Sequence, residues 1–310
     1  MVVCRPLGES RSLPVWACVI ALIAAACQVS SGPSPLGPGR VISVVAAESF
    51  WGSIAGQIGG SHVRVQSIVS GPNADPHSFE PTAADARAVA FAQMVIVNGA
   101  GYDPWMPHLL AADSGRHTVL NVGRVVKVPD GGNPHRWYNP ADVQTVISAI
   151  TAEYSRLDPE DAGYFRNRRL AFVDTDLHQY DSLVLQIKTR YGGTPVGASE
   201  SIFSMLAPAL GLDLITPYSF LKAISEGTDV SPADRTRIDS QIRHHLIRIY
   251  VYNAQNTTPD VQSQLRECKA AGIPTAVITE TLTPATATYQ AWQSRQLQEI
   301  LDALGKASLA

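Results

Sequence analysis

The sequence is poor in cysteine, and the few cysteines it has lie almost all near the N-terminus. Four occur in 310 residues, and only Cys268 lies beyond the first forty. A single thiol cannot form an internal disulfide, so packing must stabilise the folded body. The same scarcity excludes a cysteine-rich zinc site, and any bound metal ion must be held by histidine and carboxylate.

Basic blocks, a second long apolar run and familiar catalytic motifs are also missing. The net charge is −3, and without a basic-aromatic stretch we expect no nucleic-acid partner. The lack of further apolar runs excludes a multi-span permease. No G-x-S-x-G elbow, H-E-x-x-H pair or Walker loop occurs, so an enzyme is not expected. The 45% hydrophobic and 16% charged content is typical of a globular protein.

The N-terminal forty residues predict export. Two arginines precede an apolar run, Leu13–Ala26, which is too short to span a bilayer comfortably and ends in Ala-Ala-Ala before Cys27. This order resembles a bacterial lipobox, so we expect a signal peptide over 1–26 and lipidation at Cys27. The Ser/Gly/Pro-rich segment 27–40 would be a tether to the outer face of the cytoplasmic membrane. The alternative is an ordinary signal peptide with an incidental cysteine.

Beyond residue 40, short β-like runs alternate with helical patterns, which predicts an α/β fold with mainly parallel sheets. The helical patterns include Phe50–Ile58 and Ala83–Ala92. The predicted strands are Val41–Ala47, Val63–Val69, Met94–Asn98, Thr194–Ala198, Leu246–Asn253 and Thr275–Thr279.

One long segment, Pro159–Tyr191, interrupts the alternation. Apolar residues recur in it at helical spacing, no proline lies inside it, and a glycine pair follows it. We expect a long rigid α-helix that joins two Rossmann-like lobes; the alternative is two helices with a break. The predicted organisation is an N-terminal lobe over 41–157, the linking helix over 158–191 and a C-terminal lobe over 192–310.

Four residues are candidate metal ligands because of their settings. His77 and His135 stand in proline-framed loops, while Glu200 and Glu280 directly follow predicted strands. Ligands of open α/β sheets collect beyond the carboxyl ends of strands. Two imidazoles and two carboxylates can hold a divalent ion. Spacing alone leaves other interpretations open, since the histidines could hydrogen-bond locally and the glutamates could cap helices.

The motifs around these residues resemble a known family. DPHSFEPT, with the following segment to NGAGYDPWM, is similar to the cluster A-I solute-binding proteins, the metal receptors of zinc and manganese ABC importers. NPHRWYNP resembles that family's second histidine motif. ASESIF and TETLTP occupy the places of its third and fourth ligand segments. The similarity runs in consistent order from about Val41 to the C-terminus.

The resemblance implies a two-lobed receptor that captures a divalent metal ion for an ABC permease. Its ligands would be His77 and His135 from one lobe, and Glu200 and Glu280 from the other. Glu280 departs from the family's usual aspartate. Manganese(II) or zinc(II) is the expected ligand, with iron(II) as an alternative, and a monomer is expected. The other histidines, His62 among them, are expected to be surface or structural.

Two other functions remain open at this point. A metal chelate, such as a siderophore or haem, would need aromatic side chains along a broad cleft, and Trp51, Trp105 and Trp137 could supply them. A zinc-dependent extracellular hydrolase would need an open coordination position for water.

Overall fold

The computed structural model describes residues 41–71, 79–112, 115, 117–129, 131–256 and 258–308. These residues all belong to one compact unit. The predicted signal peptide 1–26, the tether 27–40 with Cys27, and the candidate ligand His77 lie outside the described residues.

Two four-stranded parallel sheets form the framework of the described chain, as the sequence predicts. Their strand orders are β2-β1-β3-β4 and β6-β5-β7-β8, and every pairing is parallel. The strands are β1 (Ile42–Glu48), β2 (Val63–Val69), β3 (Met94–Val97), β4 (Thr118–Asn121), β5 (Pro195–Ala198), β6 (Asp213–Leu214), β7 (Tyr250–Asn253) and β8 (Thr275–Ile278).

Helices connect the strands. They are α1 (Ser49–Gly59), α2 (Ala83–Phe91), α3 (Met106–Ala112), α4 (Val122–Val125), α5 (Pro140–Leu157), α6 (Ala162–Ala171), α7 (His178–Tyr191), α8 (Tyr218–Ser225), α9 (Pro232–Arg243), α10 (Pro259–Ala271) and α11 (Tyr289–Ala307). Short 3₁₀ turns occur at Gly60–His62, Arg136–Tyr138 and Phe203–Met205. Among the described residues, no helix is long and apolar enough to cross a membrane.

The predicted strand Leu246–Asn253 is shorter in the structure and begins at Tyr250. Leu246 is 51% exposed, and its amide donates to Gln241 O at the end of α9. His245 adopts a left-handed backbone conformation with φ 51°, which reverses the chain there. The apolar run therefore includes the end of a helix as well as a strand.

The long helical segment is present as two α-helices with a π-helical turn between them. α6 leads into the turn over Phe172–Asp176, and α7 continues to Tyr191. Buried aromatic residues follow the inward face, including Phe165, Phe172 and Tyr180. The lobe boundaries 41–157, 158–191 and 192–310 stay predictions.

The C-terminal helix α11 connects the two halves of the fold. It packs against α7 and β8, and it also contacts α1 beside the first sheet. Its buried residues join one continuous apolar core that includes residues from both sheets. Because this helix touches both halves, the ends of β5 and β8 are held at a defined place relative to the loops of the first sheet.

Candidate metal centre

Three of the four candidate ligands lie around one cavity. His135, Glu200 and Glu280 all line a cavity of about 1390 Å³. His135 precedes the 3₁₀ turn Arg136–Tyr138, and each glutamate stands two residues beyond a strand, β5 or β8. The structure thus places these three residues along one cavity, and their role as metal ligands stays a prediction. His77 lies outside the described residues.

The tautomer of His135 follows from its neighbour Asn133. The Oδ1 atom of Asn133 lies 2.7 Å from His135 Nδ1 and also accepts from the His135 amide at 3.0 Å. An amide oxygen only accepts, so Nδ1 of the neutral ring carries the proton and Nε2 keeps its lone pair. The ring is 2% exposed and packs edge-on against Trp137. The imidazole is therefore held in the form that can bind a metal ion.

Glu280 faces that lone pair. Its Oε1 atom lies 3.5 Å from His135 Nε2 and accepts a 2.9 Å hydrogen bond from the Tyr102 hydroxyl. The backbone at this position is fixed from the second half of the fold, since the Glu280 amide donates to Gln255 Oε1 at 2.6 Å. Glu280 is thus oriented from both halves at once.

Glu200 is the more deeply buried of the two candidate carboxylates. Its Oε2 accepts a 3.0 Å hydrogen bond from Asn253 Nδ2, whereas its Oε1 is buried without a hydrogen-bond partner. Burial, followed by the nearby negative charge of Glu280, raises the pKa of Glu200 to about 8, against the lowering effect of the neighbouring Asn253 and Asn256 side chains. A buried acceptor without a donor is costly, and a cation beside Glu200 and Glu280 removes that cost.

Two further contacts tie the candidate ligand segments together. The Asn133 Nδ2 atom donates to Ser201 O at 2.7 Å, directly after Glu200. The Tyr138 hydroxyl donates to Thr279 O at 2.7 Å, directly before Glu280. Each contact joins the His135 segment to a segment of the second half.

Sequence analysis did not identify the supporting residues Tyr102, Asn133, Tyr138 and Asn253. The only signal for Asn133 and Tyr138 was their place inside the GGNPHRWYNP motif, and Tyr102 stands in GAGYDPWM. Asn253 ends β7, beside β5 and β8 in the sheet. The outer partners of a metal site orient and tune its ligands.

The donor chemistry of the site fits a divalent transition-metal ion. One imidazole and two carboxylates line the same cavity, His135 Nε2 lies 3.5 Å from Glu280 Oε1, and one oxygen of Glu200 has no hydrogen-bond partner among the described residues. Nitrogen and oxygen donors of this kind suit zinc and manganese, and no sulfur is available for a soft ion such as copper(I).

A protein-family model matches most of the chain. The model for the zinc-uptake complex component A, periplasmic (ZnuA), matches residues 44–303. The chain belongs to the ZnuA family. This match confirms the resemblance found in the sequence motifs and covers both sheets and all three described candidate ligands.

Curated relatives of this ZnuA-family chain have metal-related names. It is 28% identical to the manganese-binding lipoprotein MntA of Halalkalibacterium halodurans over 68% of this chain and 71% of the relative. It is 23% identical to the manganese ABC transporter substrate-binding lipoprotein PsaA of Streptococcus mitis, over 73% of this chain and 75% of the relative.

Solved structures share the fold. A Mn-bound periplasmic metal-binding protein from Candidatus Liberibacter asiaticus superposes with a TM-score of 0.72 at 20% identity. The superposition covers 85% of this chain and 99% of that one. The α/β architecture predicted from the sequence is therefore shared with this solved protein.

Proposed function

We propose that the protein captures a divalent transition-metal ion, manganese or zinc, in the cavity between its two halves and delivers it to an ABC-type importer. The 3.5 Å approach of His135 Nε2 to Glu280 Oε1, with the unpartnered oxygen of Glu200 in the same cavity, is the observation that carries the proposal. An imidazole and two carboxylates line this cavity, and a cation bound there would neutralise the charge of the two carboxylates.

His135, Glu200 and Glu280 are the proposed ligands on the described residues, and His77 is the proposed fourth. The longer side chain of Glu280, where the family usually has aspartate, is accommodated by its contact with Tyr102. The two halves contribute one described imidazole and two described carboxylates, so separating them would remove part of the ligand set. With the ligands divided in this way, the ion can be bound while the halves are together and released when they separate.

The identity of the metal is a choice between manganese and zinc, with iron(II) as an alternative. Two carboxylates favour the harder manganese ion, as do the names of the two curated relatives. The family model is described by zinc uptake. The Irving–Williams order places zinc above manganese in affinity for a given site of this type. We therefore expect zinc to bind at least as tightly as manganese in vitro.

The proposal includes the setting in which the receptor works. The names of the MntA and PsaA relatives describe lipoproteins, and that of PsaA describes an ABC transporter component. They support lipidation at Cys27, a place on the outer face of the cytoplasmic membrane and a permease partner. The receptor is proposed to act as a monomer that binds and releases its ion without catalysis.

The surroundings of the cavity favour a bare ion over a chelate. Trp51 and Trp137 are fully buried, and Trp105 is 6% exposed. Among the described lining residues none is a tryptophan or phenylalanine and Tyr218 is the one tyrosine, so these residues do not form the broad aromatic surface that a haem or siderophore would require. The hydrolase alternative has no supporting observation at the described site.

Metal titration of single-residue variants tests the proposal. Chelator-treated protein is titrated with zinc and with manganese, as wild type, His135→Ala and Glu200→Gln. We expect each variant to lose more affinity than the roughly 10–100-fold typical of changes beyond the ligands. His108→Ala and Asp174→Asn, both exposed positions, are the matched controls and should bind as wild type. Unchanged affinity in both ligand variants would contradict the assignment.

A further inference from the structure

A second cluster of metal-binding side chains lies outside the cavity. His62 ends the 3₁₀ turn before β2, Asp158 follows α5, and Asp161 precedes α6. One ligand atom from each lies within 4.8 Å of the other two. The His62 Nδ1 atom is 2.7 Å from Asp161 Oδ2. None of the three lines the cavity that contains His135.

A charged carboxylate is unfavourable at the position of Asp158. It is 2% exposed and directly follows α5, an 18-residue helix whose C-terminal end carries partial negative charge. Within the described chain its side chain accepts one long hydrogen bond, 3.4 Å from the Asp161 amide, and neither aspartate pairs with an arginine or lysine. A positive partner would stabilise a buried carboxylate at this end of a helix.

The position of the Asp161 side chain also supports binding of a metal ion. Aspartate at the N-cap of a helix ordinarily accepts from the first-turn amides, but the Asp161 side chain makes no such bond to α6. It turns instead toward His62, whose ring lies 4.1 Å from that of Tyr164 and edge-on to Phe165. The aromatic neighbours hold the imidazole with Nδ1 toward the two carboxylates.

We infer that His62, Asp158 and Asp161 bind a divalent transition-metal ion at a site separate from the cavity. One imidazole and two carboxylates suit zinc or manganese, whereas calcium and magnesium prefer all-oxygen sites. Bond lengths near 2.0–2.2 Å in a tetrahedral site place ligand atoms about 3.3–3.6 Å apart, so His62 Nδ1 and Asp161 Oδ2, now 2.7 Å apart, need to separate by about 0.6–0.9 Å. Water would complete the coordination, since His62 and Asp161 are partly exposed.

A metal ion at this site would crosslink three segments of the first half. It would join the chain before β2 to the end of α5 and the start of α6, where the long helical segment begins. Binding at this site is independent of the cavity ligands, so the inference does not depend on the proposed function.

The test uses the full-length chain with the cavity ligands removed. The background variant carries His135→Ala, Glu200→Gln and Glu280→Gln, and zinc bound to chelator-treated protein is measured by equilibrium dialysis with metal analysis. We expect this background to retain one equivalent of zinc. Adding His62→Asn or, separately, Asp161→Asn should remove that equivalent, whereas the exposed control His178→Asn should retain it.

Two further measurements keep the outcome decisive. Circular dichroism in chelator shows that each variant is folded, and Asp161→Asn preserves the size of the side chain if His62→Asn disturbs packing. A background variant that binds no zinc would overturn the inference, as would an equivalent that survives both substitutions. Cobalt(II) added in place of zinc should give visible absorption bands that disappear in the His62 and Asp161 variants.

Discussion

The Tyr138 hydroxyl donates a 2.7 Å hydrogen bond to the carbonyl oxygen of Thr279. Tyr138 stands three residues after His135, and Thr279 immediately precedes Glu280, so this bond joins two candidate ligand segments from different halves of the fold. Tyr138 is fully buried, and Gln296 of α11 lies 2.8 Å from the same hydroxyl. The helix that contacts both halves thus also supports the link between the ligands.

Tyr138→Phe should weaken metal binding by about 10-fold, because the His135 and Glu280 segments lose a direct connection. Stability should fall by about 1–2 kcal/mol, since a buried carbonyl loses its donor. Tyr154→Phe is the matched control: its hydroxyl donates to Ala55 O at 3.1 Å, buried and not connected to the cavity. Urea unfolding and metal titration should show a stability loss in both variants and an affinity loss only in Tyr138→Phe. Equal affinities would show that the link is structural alone.

Asn133→Ala should reduce metal affinity by about 10–100-fold, because Asn133 fixes the His135 tautomer and contacts the chain after Glu200. Asn139→Ala serves as the control. Asn139 is six residues away and caps α5 through Ala141 and Asp142, so its loss should cost about 1 kcal/mol of stability. Titration calorimetry on both variants measures the difference. Wild-type affinity in Asn133→Ala would contradict an orienting role.

Glu48→Gln should stabilise the protein at pH 8 but not at pH 4. Glu48 ends β1, fully buried, and neither carboxylate oxygen has a hydrogen-bond partner in the described structure. Burial, followed by the charge of Asp103, raises the pKa of Glu48 well above 4.5. The folded state therefore keeps this proton at a pH where the unfolded chain has lost it, and stability declines as the pH rises above about 4.5.

Glutamine does not titrate, so the substitution removes that decline. Urea unfolding of chelator-treated protein at pH 4, 6 and 8 measures the effect, with the exposed Glu160→Gln as control. The gain from Glu48→Gln should grow with pH, and the control should stay flat. An equal gain in stability at all three pH values would mean that the ionisation of Glu48 does not cause the pH dependence.

Much of the fold could be predicted from the sequence because its strands are short apolar runs between helical patterns. Val63–Val69 was predicted with the bounds that the structure has. The strand β4 was missed because Val119 is 44% exposed and its four residues show no alternation, and β6 has only two residues. Leu246 was assigned to a strand because apolarity alone does not separate the end of a helix from the start of a strand.

The sequence pointed to the candidate ligands but not to the residues that support them, and the ligand assignment itself stays a prediction. His135, Glu200 and Glu280 each belong to a local motif, so the sequence could point to them before any contact was known. Asn133, by contrast, gains its role from a distance of 2.7 Å to Ser201, which is 68 residues away. Contacts of that kind depend on how the two halves meet, and single-sequence patterns do not contain that information.

Metal-dependent thermal unfolding tests the central claim most directly. Chelator-treated protein is heated alone and with zinc, manganese or calcium, as wild type and as His135→Ala. At 100 times its dissociation constant, an ion that binds only the native state adds roughly 2.7 kcal/mol, which raises the midpoint by several degrees. We predict a large rise for wild type with zinc or manganese, little with calcium, and a much smaller rise in His135→Ala. No rise with either transition metal in wild type would contradict the account.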